Sequence, residues 1–156
     1  MTSTNQITID VDSITVHSNG YVWDFDSDGD SEGWWPWNQV VNAQVSHGTF
    51  QGQSSGDDPY IVSTFISADS TKLTKIQIRM KVFTGNAAQL FFITDLDGGF
   101  DESKSISFPV QGDGKFHTYT LDMSKVKSWK NVITQIRLDP SETTANFEID
   151  YIRINK

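Results

Sequence analysis

A chain of 156 residues is long enough for one domain with a sizeable core and gives no reason to expect two. Its formal net charge of −8 argues against a nucleic-acid partner and against an anionic membrane surface, leaving neutral ligands and divalent cations compatible. The absence of cysteine excludes disulfides and thiolate metal sites, and no run approaches the ~20 apolar residues of a helical membrane span.

In chain order, residues 1–5 read as a frayed end, and MTSTNQITID lacks the basic and apolar regions of a signal peptide. The chain is then either cytosolic or, the preferred expectation, a piece of a longer secreted chain. Ile7, Ile9 and Val11, then Ile14 and Val16, alternate with polar residues and predict weak edge strands. A strand is expected at 21–26, turned by Asp28-Gly29, and another at 40–45. HGTFQGQSSGDDP reads as a glycine-rich turn and a break before a strand at 60–65. In KIQIRMKVF, residues 75–83, Ile76, Ile78, Met80 and Val82 oppose Gln77, Arg79, Lys81 and Phe83. Such alternation marks a strand with one buried face and one wet face. QLFFIT at 89–94 is more apolar and central. Further strands are expected at 106–110, 116–123, 133–138 and 146–154, with Trp129 in a loop or short helical turn. About ten short strands separated by turn residues predict an all-β chain: an antiparallel β-sandwich of jelly-roll topology, with no helix longer than a turn or two. No linker or repeat is visible, so residues 1–156 read as a single domain.

The stretch YVWDFDSDGDSEGWWPW, residues 21–37, overlays two chemical signals. Asp24, Asp26, Asp28 and Gly29 spell D-x-D-x-D-G, an oxygen-rich opening suited to a hard cation. An EF-hand would need glutamate at the place held by Trp35, so that site class is excluded. The alternative is a solvated acidic turn. Asp150 sits in the otherwise apolar closing strand, where a carboxylate needs a cation, a basic partner or exposure. Asp57 and Asp58 are weaker candidates, because a D-P turn uses aspartate for local hydrogen bonds.

The second signal is aromatic. Trp34, Trp35 and Trp37 crowd around Pro36. Sugar rings present C–H faces that stack on indoles, while their hydroxyls pair with amide, carboxylate and guanidinium groups. Trp35, Trp37 and Trp129 are the candidate platforms, and Gln77, Arg79, Gln89, Gln135 and Arg137 the candidate hydrogen-bonding set. Against this, Trp23 and Trp34 fit a core, Trp129 could fill a core end, and Arg79 and Arg137 could be ordinary charges on a solvated sheet face.

Several of these stretches together resemble the β-jelly-roll carbohydrate-binding modules of bacterial polysaccharide-degrading enzymes. They are F-D-x-D-G…E-G-W from Phe25 to Trp34, GDDPYI, FPVQGDGKFHTYTLDM, ITQIRLDP and I-D-Y-I from Ile149 to Ile152. The likeness is to the group of families four, sixteen and twenty-two, within the galactose-binding-like fold, and spans most of residues 20–155. It implies binding without catalysis and a structural calcium ion between the first and last strands, drawing on Asp24 or Asp26 and on Asp150. It also implies a secreted or cell-surface location, a covalently linked catalytic domain and a monomeric module. The expected function is binding of a neutral polysaccharide or oligosaccharide, β-glucan or β-mannan first, on a concave sheet. Two alternatives stay open: an adhesion or structural sandwich, whose aromatics would be wholly buried, and a jelly-roll polysaccharide lyase drafting His117, Tyr119, Arg79 and Gln89.

Overall fold

Short alternating segments build two antiparallel sheets. The structure, a computed structural model, describes residues 20–156. The frayed end at 1–5, the weak strands around Ile7 to Val16, and His17 lie outside the described residues. The strands are β1 (Tyr21–Trp23), β2 (Trp35–Asn38), β3 (Val40–Ser46), β4 (Thr49–Ser54), β5 (Tyr60–Val62) and β6 (Ala68–Asp69), followed by β7 (Lys75–Val82), β8 (Ala87–Thr94), β9 (Ser105–Pro109), β10 (Phe116–Asp122), β11 (Val132–Asp139) and β12 (Asn146–Asn155). Helical backbone among the described residues is confined to 3-10 turns at Glu102–Lys104 and Met123–Lys125.

Sheet I runs β10-β7-β12-β4-β3, with β1 also paired to β12. Sheet II runs β2-β5-β11-β8-β9, with β6 also paired to β11. This is the expected jelly-roll sandwich. Its interior is the sum of the inward halves of the alternating strands. Ile76, Ile78, Met80 and Val82 of β7 meet Phe147, Ile149, Ile152 and Ile154 of β12, all fully buried. From sheet II, Ile61, Leu90, Phe92, Ile136 and Leu138 close over them. Fully burying each such side chain is worth about 1.5–3 kcal/mol.

Two strands depart from the expected pattern. HGTFQG does not simply turn: Thr49–Ser54 is a strand between β12 and β3. Gly52 stands in it because a side chain there would meet Phe147, with an added Cβ only 2.5 Å from that ring. The WPWN segment is also a strand, β2. Proline is tolerated because β2 is an edge, paired only to β5.

The first strand is shorter than expected and stops at Trp23. Phe25 adopts φ 53°, rare for a bulky residue, so extended pairing cannot continue through it. The carboxylate of Glu32 compensates by accepting the backbone N–H of Phe25 at 2.8 Å and of Asp24 at 3.1 Å. The turn throws Phe25 and Trp34 into the core, where Trp34 meets Trp23 edge-on at 5.5 Å.

Candidate functional site

The outward face of sheet II collects aromatic and polar side chains that the alternation of four strands points the same way. In β2, Trp35 and Trp37 share a face, with Trp35 opposite Val62 of β5. Their ring centroids are 6.3 Å apart and the planes are inclined by 50°. Trp37 is 65% exposed, an uncommon state for so large an apolar group. Together with Tyr60, Val62, Phe65, Phe100 and Gln135 they line a cleft of about 280 Å³. Phe65 is also exposed.

Arg137 of β11 stands beside this cleft as a fixed guanidinium. It lies 3.5 Å over the Tyr60 ring and 4.4 Å from the Phe91 ring centroid. Its Nε donates to Asp139 Oδ1 at 2.7 Å and its Nη2 to Asp139 Oδ2 at 2.6 Å. Nη2 also donates to Asp58 Oδ1 at 3.0 Å. Aromatic contacts and two carboxylates therefore fix the plane of the fork before any ligand arrives. Burial pushes the Asp139 carboxyl up to about 6, against the downward pull of Arg137.

Beyond Arg137 the same face turns polar. A recess of about 170 Å³ is lined by Asp57, Asp58, Gln89, Ser107, Asp139 and Glu142, among others. Gln89 Nε2 donates to Glu102 Oε2 at 2.7 Å and to Ser105 Oγ at 2.9 Å. Glu102 and Phe100 arrive on the loop after β8, which is held by a buried lysine. Lys104 Nζ donates to the carbonyls of Asp97 and Gly99 and reaches Asp97 Oδ1 at 2.9 Å.

The expected sugar-binding residues therefore divide. Trp35, Trp37, Gln89, Gln135 and Arg137 come to one face, although Gln135 is buried and donates its Nε2 to Ser63 O at 2.7 Å. Gln77 and Arg79 lie on the outer face of the other sheet. There Arg79 Nη1 donates to Asp150 Oδ2 and Gln77 Oε1 accepts from Asn155 Nδ2 at 3.3 Å. Trp129 is not a platform. It packs edge-on against Phe92 in the core and donates Nε1–H to Leu73 O at 2.9 Å. Tyr60, Phe65, Phe100, Glu102 and Asp139 belong to the face without having been singled out in the sequence, and Asp58, a weaker cation candidate there, joins them. Tyr60 and Val62 carried a period-two signal. Phe100 and Glu102 carried none, since they arrive on a loop.

Of the four aspartates expected to hold calcium, two are engaged by protein groups and one is exposed. Asp28 Oδ1 accepts the backbone N–H of His47 at 2.8 Å, Asp26 is exposed, and Asp150 is held by Arg79 on the outer face of sheet I. The carboxylate closing the early turn is Glu32, whose pKa burial raises. Among the described residues, no three His, Cys, Asp or Glu side chains converge to hold a metal. The lyase quartet fails. His117 and Tyr119 pair in register with the inward-facing Met80 and Ile78, Arg79 points outward on the same sheet, and Gln89 is on the other sheet.

No protein-family profile matches the chain, and no curated protein matches it. Its fold is shared with solved carbohydrate-binding modules. A low-affinity xylan-binding module, CBM86 from Roseburia intestinalis, superposes with a TM-score of 0.59 at 10% identity, covering 87% of this chain and 94% of that one. A CBM4 module gives 0.59 at 12% identity, over 87% and 96% of the two chains. A family 29 module in complex with mannohexaose gives 0.57 at 12% identity, over 87% and 90%.

Proposed function

We propose that this chain is a non-catalytic carbohydrate-binding module that holds a neutral polysaccharide, β-glucan or β-mannan, along the outward face of sheet II. The observation that carries this reading is the Trp35–Trp37 pair, Trp37 exposed and Trp35 half-buried, beside the clamped Arg137. The indoles offer flat apolar platforms for pyranose C–H faces. Arg137, its Nε and Nη2 engaged by Asp139 and Asp58, offers Nη1 of a rigid guanidinium to a hydroxyl, with little side-chain freedom left to lose on binding. Asp57, Asp58, Asp139 and Glu142 around the neighbouring recess would repel uronate chains and favour uncharged ones.

The family 29 neighbours support the same chemistry. They include complexes with cellohexaose and with mannohexaose. Variants made there to probe ligand recognition replace a tyrosine, and an arginine and an aspartate two positions apart. Tyr60, Arg137 and Asp139 supply those residue types here, with the same arginine–aspartate spacing. The exposed aromatics favour this reading over a purely structural sandwich, whose aromatic side chains would be buried. The wider setting we propose is a monomeric module of a secreted carbohydrate-active enzyme, covalently joined to its catalytic domain.

Affinity electrophoresis against glucomannan, mixed-linkage glucan, hydroxyethylcellulose, xylan, alginate and pectin tests the proposal. Retardation on one or more neutral β-linked polymers, without loss of polymer length, is the expected result. Retardation only on the uronates, or depolymerisation of any polymer, would overturn it.

A further inference from the structure

The outward face of sheet I carries a second recess of different make. Asn42, Gln44, Gln51 and Gln53 of β3 and β4, with Asn146 and the ring of Phe83, line a cleft of about 240 Å³. The register of β3 slips between Val41 and Gln44, with Asn42 at φ 54°. Such a bulge re-aims side chains, and here Asn42 Nδ2 donates to Gln53 Oε1 at 3.3 Å. Gln51 is also fixed, its Nε2 donating to Ser46 O at 3.1 Å and Thr49 Oγ1 at 3.0 Å. The Phe83 ring stands 45% exposed at the wall. The lining carboxylate, Glu148, is neutralised by Lys81 at 2.7 Å.

On a chain of net charge −8, a recess with no net charge is itself selective. Each primary amide offers donor and acceptor together, the complement of a sugar hydroxyl, and an exposed ring offers a face for C–H stacking. No charged ligand finds an unneutralised counter-charge in the lining. We infer that this recess is a second binding site for a neutral oligosaccharide, independent of the one on sheet II. The two sites occupy the outer faces of opposed sheets, so one molecule can bridge two glycan segments and bind both at raised effective concentration.

The test is an NMR titration of isotope-labelled Trp35→Ala/Trp37→Ala protein, which lacks the sheet II platform, with cellohexaose and with mannohexaose to millimolar concentration. The expected result is saturable shifts of the Asn42, Gln44 and Gln53 side-chain amides. These should vanish when Phe83→Ala and Gln53→Ala, both at exposed positions, are added. Absence of saturable shifts with either sugar, or shifts that survive the added substitutions, would overturn the inference. The parent protein separates the two sites. Indole shifts with silent amides leave the sheet II reading standing and remove this one, while amide shifts with silent indoles do the reverse.

Discussion

Replacing Trp37 by alanine separates a binding role from a structural one. The side chain is 65% exposed and sits on an edge strand, so its removal leaves no cavity in the core. The expected stability change is within about 0.5 kcal/mol, the range of surface substitutions away from special features. A pyranose lying on one indole face hides on the order of 80 Å² of apolar surface, worth roughly 2 kcal/mol at about 25 cal/mol per Å², or a factor of about 30 in Kd. The neighbouring Trp35 lies within 6.3 Å and sustains part of the platform, so binding is weakened rather than abolished. Isothermal titration with mannohexaose and cellohexaose reads the affinity, and a thermal melt reads the fold. An unchanged Kd with an unchanged Tm would refute the stacking argument. A fall in Tm comparable to that of a core variant would show that Trp37 is structural.

The remaining predictions follow from groups around and beneath the face. Trp129→Ala should cost about 3–5 kcal/mol of stability, because it opens a cavity beside Phe92, while binding per folded molecule stays at the parent value; denaturant melts with titration check both. Lys104→Met removes the ammonium that gathers the Asp97 and Gly99 carbonyls, so the loop bearing Phe100 and Glu102 should exchange amide hydrogens faster and binding should weaken several-fold. Asp139 has its folded pKa raised from 3.8 to about 6, so the folded state binds the proton more tightly than the unfolded chain. Its contribution to stability therefore falls as pH rises between those values, by on the order of 3 kcal/mol in all, and stays flat above them. Asp139→Asn should remove that slope from a plot of stability against pH; parallel curves for variant and parent would contradict the assignment. The expected structural calcium is checked by a chelator: a lowered Tm of the parent protein supports a bound ion, and an unchanged Tm removes it.

The sequence made the faces of individual strands readable but not the sheets they join. The alternation in KIQIRMKV reproduces the burial of β7 residue by residue. It could not show that Gln77 and Arg79 face away from Gln135 and Arg137, because period two sorts the sides of one strand and is silent about its neighbours. Trp35 and Trp37 were legible as a pair since crowded aromatics at a proline have few buried solutions. Trp129 was not, because its buried indole N–H is satisfied by donating to the carbonyl of Leu73, 56 positions earlier in the chain. Gly52 was misread as a turn residue: its small size answers Phe147, which lies far along the chain. Nor was it legible that Glu32 closes the D-x-D-x-D-G reversal on the backbone amides of Asp24 and Phe25.

The position of β12 also bears on how the protein is made. This strand, Asn146–Asn155, lies at the middle of sheet I, bonded on one flank to β7 and on the other to β4 and β1. A ribosome delivers it after every strand it must pair with. Until then β7 and β4 have no neighbour to join them, and their apolar faces are not closed into one sheet. Sheet I can form only after synthesis of residues 146–155, through contacts that span most of the sequence, the kind that slow folding. Holding the nascent chain unpaired for that interval, as a chaperone does, would raise the yield of folded protein without altering its final stability.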